Sequence, residues 1–260
     1  MKPANLILDL LRTYGRKGTA VKVLMETAGM FQVSENVMRV TLSRLASRGL
    51  IEKVSRGHYR LAEGSDPIND FVEEWRLGER RRRPWQVNHF LIAHCQVSTD
   101  KDEWVLTATG FRRAGIGLWM RPDNLVRRGD ELRNWLIGLG LSGESLIAEG
   151  ARLGKKDSET FLQCYETSGL NKQYRELVRA LKKSEARLAS LPKAAAMKES
   201  FTLGGKALQL LAKDPYLPEE VQEPSTREEL WQLMMDYDEQ GRGVWTDKPA
   251  TMPADMTSYA

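Results

Sequence analysis

Side chains that can bind the edges of nucleic-acid bases recur at helical spacing between residues 36 and 44. Arginine can donate two hydrogen bonds to guanine, asparagine can pair with adenine, serine can bond to either, and valine can contact the methyl group of thymine. Intervals of three and four residues place such side chains on one side of a helix. We therefore predict a base-reading surface formed by Asn36, Arg39, Val40, Ser43 and Arg44.

A second group of side chains, directly further along the chain, is suited to binding phosphate. Its members are Arg48, Lys53, Arg56, His58 and Arg60. Contacts between such side chains and phosphates fix the position of a protein on a duplex without reading its sequence. We predict that this second group contacts the DNA backbone beside the base-reading surface.

The local sequence predicts two helices and a hairpin that would position both groups. Apolar residues in 19–29 fall on one face of a short helix, and Ser34 is a favourable N-cap for a second helix that Gly49 ends. Two short alternating runs around Arg56-Gly57 then predict a β-hairpin. The buried stripe of the second helix is expected to be Val37, Met38, Thr41, Leu42 and Leu45. These are the parts of a winged helix-turn-helix, whose second helix enters the DNA major groove.

The basic charge of the chain is concentrated at its N-terminal end. Residues 1–61 contain eleven Lys and Arg against four Asp and Glu, whereas the remainder contains 28 against 31. The net charge of +4 therefore conceals a basic head and a nearly neutral body. Neutralisation of DNA phosphates requires such a concentration of positive charge, so double-stranded DNA is the expected partner.

The composition is that of a globular protein without a membrane span. Hydrophobic residues make up 41% and charged residues 28% of the 260 residues, a length sufficient for two or three small domains. No run approaches the ~20 apolar residues of a transmembrane helix, and the N-terminal residues do not resemble a signal peptide. Cys95 and Cys164 are far apart and lack a metal-binding spacing. We expect a cytoplasmic location and no membrane partner.

Residues 85–152 show alternating strand-like and helix-like patterns. Helices are predicted at Thr99–Thr109, capped by Ser98, and at Gly129–Leu139. Strands are predicted at 87–97, 111–113, 116–121 and 145–153. The order β-α-β-β-α-β is that of a ferredoxin-like domain. From about Asp157 onward the pattern is helical, with a helix from 197 to 213 that Gly204-Gly205 interrupts.

Together these elements predict an α+β protein with several domains. The winged helix-turn-helix occupies residues 1–66, a helical connector 67–84, the ferredoxin-like domain 85–156, a helical C-terminal domain 157–245, and a flexible tail 246–260. The connector carries Arg80-Arg81-Arg82-Arg83. The sequence leaves two interpretations of this run open, a second contact to the DNA backbone and a solvated charged segment.

The residue types needed for catalysis or metal binding do not form a recognisable set. His58 lies in the predicted hairpin, and His89 and His94 are five residues apart, which places them on opposite faces of a strand. Residues 138–143 are rich in glycine but follow a helix instead of a strand, unlike a dinucleotide-binding loop. We therefore expect no cofactor, no metal and no enzymatic activity.

Three blocks of sequence occur in the order and spacing of a known family. They are residues 34–45 followed by Arg48-Gly49 and by 59–61 at the end of the predicted hairpin, residues 110–122 with the run GLWMRP, and residues 214–220 with the run DPYLPEE. Together they extend over nearly the whole chain. In these blocks the chain resembles the PaaX family of bacterial transcriptional regulators, which is named for repression of phenylacetic acid catabolism.

The resemblance implies a homodimeric repressor with a winged-helix head, a ferredoxin-like middle domain and a helical C-terminal domain. It also implies release from a DNA operator by a small effector of the acyl-CoA type. Because CoA carries phosphates, the candidate effector-binding residues are Arg112, Arg113, Trp119 and Arg121. The alternative for this group is that Trp119 belongs to the core and Arg121 only marks the end of a strand.

Two other functions remain open from the sequence. The middle domain of the family is similar in fold to a small CRISPR-associated nuclease, which suggests a nucleic-acid-processing enzyme that the winged helix directs to its substrate. Against this alternative, the family's Phe-Asp-Val-Pro strand end is replaced here by His94-Cys95-Gln96-Val97, which lacks the acid. The remaining alternative is a winged-helix protein that contacts only other proteins.

Overall fold

Two separate antiparallel sheets and ten α-helices make up the computed structural model, which describes residues 2–14, 17–62 and 67–246. The predicted α+β class is confirmed. Residues 63–66, at the end of the predicted winged helix-turn-helix, and residues 247–260 of the predicted tail lie outside the described residues. The chain divides into two compact units, the first from Met1–Asp66, Leu181–Gly205 and Met234–Ala260 and the second from Pro67–Ala180 and Lys206–Leu233. The helices predicted to form one C-terminal domain are therefore shared between the two units.

The N-terminal part of the first unit contains three helices and a three-stranded sheet. The elements are α1 (Pro3–Tyr14), β1 (Thr19–Ala20), α2 (Val21–Met30), α3 (Glu35–Ser47), β2 (Ile51–Ser55) and β3 (His58–Leu61). The sheet order is β1-β3-β2, with both pairings antiparallel. The sequence pattern does not predict strand β1, because it places Thr19 in the following helix. Gly18 makes this pairing possible, since a Cβ atom there would lie only 2.3 Å from the carbonyl oxygen of Tyr59.

The rest of the chain contains the second sheet and seven further α-helices. The elements are α4 (Pro67–Glu73), a 3-10 helix (Glu74–Arg81), β4 (His89–His94), α5 (Asp100–Ala108), β5 (Arg112–Gly115), β6 (Leu118–Pro122), α6 (Gly129–Leu139), β7 (Leu146–Arg152), α7 (Lys155–Leu162), α8 (Thr167–Leu188), α9 (Lys193–Ala212) and α10 (Ser225–Thr246). The sheet order is β5-β6-β4-β7, and all three pairings are antiparallel. Helix α9 continues through Gly204-Gly205, where an interruption was predicted. Gly204 lies against α10, where a Cβ atom would be 3.5 Å from the side chain of Met234, an ordinary van der Waals contact.

The core of the first unit joins the N-terminal helices to the C-terminal ones. The fully buried faces of α1, α2 and α3 pack together with Met197 of α9 and Trp245 of α10. Aromatic contacts reinforce this packing. The ring centroids of Tyr14 and Trp245 are 5.8 Å apart, and those of Phe31 and Phe201 are 5.1 Å apart. The three N-terminal helices therefore share their hydrophobic core with residues of α9 and α10.

Both faces of the second sheet are covered. Successive side chains of β4 point to opposite faces of the sheet, and buried residues occur on both. Leu91 and Ala93 face a cluster that includes α5 and α6, whereas Phe90 belongs to a second cluster on the opposite face. Helix α5 begins with a capping box in which Thr99, and not the predicted Ser98, is the N-cap, and Asp102 is the reciprocal partner.

Candidate nucleic-acid interface

The ends of helix α3 are fixed by local sequence. Ser34 has an extended backbone (φ −69°, ψ 151°), and its hydroxyl accepts a hydrogen bond from the amide of Val37. Glu35 places a carboxylate in the first turn, where it interacts favourably with the positive end of the helix dipole. At the other end Gly49 adopts a left-handed conformation (φ 68°) that few other residues tolerate. The boundaries predicted for this helix are confirmed to within one residue.

Helix α3 has one buried face and one exposed face. Met38, Leu42 and Leu45 are buried in the core of the first unit. The predicted base-reading residues are all exposed on the other face, namely Asn36, Arg39, Val40, Ser43 and Arg44. Arg39 lies 3.6 Å from the carboxylate of Glu35, but both side chains are largely exposed, so this ion pair stabilises little. The guanidinium of Arg39 can therefore turn from Glu35 to another acceptor at small cost.

Val37 does not belong to the buried stripe of α3, contrary to our prediction. Its side chain is 42% exposed, close to the 45% of Val40, and the two lie three residues apart. Thr41 is only partly buried, and its hydroxyl donates to the carbonyl oxygen of Val37. The buried stripe is narrower than the sequence suggested because the neighbouring helices cover only one side of α3. Exposed valines of this kind can contact thymine methyl groups.

The hairpin after α3 exposes most of the predicted phosphate-binding side chains. Strands β2 and β3 pair with a register shift between Lys53 and Ser55, and Gly57 forms the turn with φ 77°. Arg48, Lys53, Arg56 and His58 are exposed. Helix α3 and this hairpin follow one another along the chain. We call their exposed residues the α3–hairpin surface (Asn36, Arg39, Val40, Ser43 and Arg44 of α3 with Arg48, Lys53, Arg56 and His58).

Arg60 differs from the other predicted phosphate contacts. It lies opposite Glu52 in the register of β2 and β3, and the two side chains form an ion pair within the hairpin. The side chain of Arg60 is only 34% exposed. Its first role is therefore to join the two strands, and this cross-strand pair was not foreseen from the sequence.

The four predicted effector-binding residues do not form one accessible patch. Arg121 is 2% exposed, and its guanidinium donates to the carbonyl oxygens of Thr109 and Pro215 and to the side chain of Asn124. Burial lowers the pKa of Arg121 to about 10. A side chain enclosed in this way is not available to a ligand in this structure, so its assignment to the effector site is corrected to a structural one.

The remaining members of that group have separate roles. Trp119 is 5% exposed and belongs to the core, which agrees with the alternative left open from the sequence. The guanidinium of Arg113 lies 5.1 Å from the centroid of the Trp119 ring and also pairs with Glu103. Arg112 lines an open cleft. The arginines and the tryptophan of this group are therefore close in sequence, but they do not form one ligand-binding site.

Most side chains of the Arg80–Arg83 run bind groups within the second unit, which neither of the two interpretations from the sequence anticipated. Arg81 is buried and donates to the carbonyl oxygens of Leu211 and Ala212. Arg82 pairs with Glu79 and Glu219, and Arg83 pairs with Asp123. Arg80 alone of the four is exposed. Three of the four charges thus connect distant parts of the second unit.

Residues that could hold a metal ion are not clustered in the part of the chain that the structure describes. No cluster of three or more His, Cys, Asp or Glu residues that would hold a metal ion occurs there. Cys95 is buried with its Sγ atom 3.3 Å from the hydroxyl oxygen of Ser145. Within the same residues, no helix has the length and apolarity that crossing a membrane requires.

The mixed helix-and-sheet fold places the chain in the α+β class. Its structure is similar to that of the uncharacterized protein Rv0674 from Mycobacterium tuberculosis, with a TM-score of 0.55 and 17% sequence identity over 93% of this chain and 97% of that chain. At this level of identity the similarity concerns the fold alone. No protein-family model matches the sequence, and no curated protein matches it.

Proposed function

We propose that this chain is a sequence-specific, DNA-binding transcriptional regulator. The observation that carries the proposal is the exposed face of α3, on which an asparagine, two arginines, a serine and two valines lie opposite a fully apolar buried face. These are the side chains that distinguish base pairs in the major groove. The adjoining hairpin adds Lys53, Arg56 and His58, which suit the flanking phosphates.

The arrangement of elements supports the same proposal. Two helices joined by a tight turn and followed by a hairpin are the parts of a winged helix-turn-helix, which we assign to residues 1–66. We assign a ferredoxin-like fold to residues 85–156, supported by the β-α-β-β-α-β order and by the sheet order β5-β6-β4-β7. Both assignments agree with the resemblance to the PaaX family, which we propose as the family of this chain.

The dimensions of α3 limit how much sequence one head can read. Residues 36 and 44 are separated by about 12 Å along the helix, at a rise of about 1.5 Å per residue. Base pairs follow one another at about 3.4 Å, so this face spans roughly three to four base pairs. Such a short site is insufficient for a specific regulator, which favours the proposed homodimer acting on an imperfect inverted repeat with half-sites about one helical turn apart.

We further propose that the regulator is a repressor of a catabolic operon that a small effector releases from DNA. The effector would shift the equilibrium between two arrangements of the dimer, and it can do so only by binding them with unequal affinity. An aryl- or acyl-CoA thioester is the effector class suggested by the family resemblance. Its proposed site no longer includes Arg121 or Trp119, because both side chains are buried.

The proposal is tested by selection of DNA with the full-length protein. Random duplexes bound by the protein would be enriched over several rounds and sequenced, and the enriched duplex would be titrated beside a scrambled one. We expect a pseudo-palindromic sequence that binds at least 10³-fold more tightly than the scrambled duplex, as is typical of specific regulators. Retention of duplexes without any enriched sequence would contradict sequence-specific regulation.

A further inference from the structure

A cleft of about 350 Å³ opens within the second unit, whereas the residues assigned to DNA binding belong to the first. It is lined by the first turns of α8, the last turn of α9, the residues that follow α9, and Arg112 at the start of β5. Its volume falls at the lower end of the range of small-molecule sites. The cleft is therefore large enough for a small organic ligand.

Two positive charges line this cleft without a carboxylate partner. Neither Arg112 nor Lys213 forms an ion pair with any residue that the structure describes, although many arginines of the second unit do. Among the described lining residues, Glu166 is the one acid. The cleft thus carries a net positive charge, which favours an anion.

Arg112 is held in place before any ligand arrives. Its Nη1 atom donates to the carbonyl oxygens of Phe111 and Thr107 at 2.8 and 3.3 Å. Its guanidinium carbon lies 5.0 Å from the centroid of the Tyr165 ring. Tyr165 is fixed in turn, because its hydroxyl donates to the carbonyl oxygen of Gly110 at 2.7 Å. A cation positioned in this way loses little conformational entropy on binding an anion.

The other walls of the cleft are apolar or neutral. Leu170 of α8, Leu210 of α9 and Leu217 supply apolar surface, and Gln173 and Gln209 supply neutral hydrogen-bonding groups. Burial raises the pKa of Tyr165 far above its ordinary value, so its ring remains a neutral wall. A ligand that matches all of these surfaces has an apolar body and one anionic group.

We propose that this cleft binds a small organic anion, with its carboxylate or phosphate group between Arg112 and Lys213 and its apolar body against the leucines. In the proposed regulator this is the effector site. The binding itself requires no DNA, so the inference stands or fails independently of the DNA-binding proposal.

The test uses the fluorescent anion 8-anilinonaphthalene-1-sulfonate as a probe of the full-length protein in the absence of DNA. We expect saturable binding of one probe per chain. The double variant R112Q/K213Q should bind the probe about tenfold more weakly or worse, through the loss of two charge-assisted contacts. A matched control, R175Q/K206Q, removes the same charge from exposed positions of α8 and α9 outside the cleft and should stay within about twofold of the wild type.

Two further measurements keep the inference testable if the double variant does not fold. The variant L210W places a larger side chain in the wall of the cleft and should reduce probe binding without removing a charge. Benzoate and phenyl phosphate should displace the probe from the wild type at lower concentrations than neutral benzyl alcohol, and the stronger of the two anions distinguishes a carboxylate site from a phosphate site. Equal affinity in the double variant and its control, unchanged binding in L210W, or equally effective displacement by benzyl alcohol would each overturn the proposal.

Discussion

The salt dependence of the proposed DNA binding should reveal how many phosphates Arg48 and the hairpin contact. The perturbation is the triple variant R48A/K53A/R56A, which removes three exposed cations from the α3–hairpin surface. None of the three forms an ion pair within the described chain, so their removal leaves no internal carboxylate without its partner. The substitutions therefore change the charge presented to DNA with little effect on the fold.

The magnitude follows from counterion release. Each phosphate neutralised contributes about −0.9 to the slope of log K against log salt concentration. Three lost contacts per head should make the slope shallower by about 2.7, which corresponds to roughly 500-fold weaker binding near 0.1 M salt. If both heads of a dimer bind together, the change in slope doubles to about 5.4.

The assay is fluorescence anisotropy of a labelled duplex titrated with protein at several salt concentrations. The control K183A/K198A/K206A removes three exposed lysines of α8 and α9 and so changes the net charge equally. We expect the slope of the control to remain close to that of the wild type. An unchanged slope in the hairpin variant, or an equal change in both variants, would refute the assignment of the hairpin to the DNA backbone.

Three predictions concern the elements that support the sites. Leu42→Ala should lower the free energy of unfolding by about 2–5 kcal/mol in urea titrations, because the side chain is buried in the head core, and a loss below about 1 kcal/mol would contradict that packing. Thr99→Ala removes the N-cap of α5 and should lower the free energy of unfolding by about 0.5–2 kcal/mol in thermal denaturation. Ser98→Ala should lower it much less, and the reverse ranking would assign the cap to Ser98. Burial raises the pKa of Asp214 above its ordinary 3.8, against the opposing effect of Arg227. The folded state therefore keeps a proton that the unfolded state releases, so stability is lost as the pH rises from about 4 through the folded pKa. In urea titrations, the free energy of unfolding of the wild type should fall over this pH interval relative to that of Asp214→Asn. Parallel dependence of the two free energies on pH would contradict the raised pKa.

The parts of the fold that depend on neighbouring residues were accessible from the sequence. Helix α3 was located correctly because Ser34 and Gly49 act within one turn of its ends. The apolar periodicity identified Met38, Leu42 and Leu45 as core residues. The same periodicity overestimated the width of the buried face, because only the positions of α1 and α2 determine where that face ends.

Features that depend on distant residues were not accessible. The enclosure of Arg121 requires the carbonyl oxygen of Pro215, 94 residues further along the chain. The contact of Tyr14 with Trp245 in the head core likewise depends on how the C-terminal helices return to it. A basic residue beside a tryptophan in the sequence therefore resembled a ligand site, although burial assigns Arg121 and Trp119 to the interior.

The most direct test of DNA recognition by α3 compares Arg39→Ala with Arg175→Ala, which removes an exposed arginine from α8. For each protein, the ratio of dissociation constants for the enriched and scrambled duplexes would be measured at one salt concentration. Arg39→Ala should reduce this discrimination by about 1–3 kcal/mol, the contribution of one bidentate base contact, and Arg175→Ala should leave it unchanged. Undiminished discrimination in Arg39→Ala would contradict the placement of this face of α3 in the major groove.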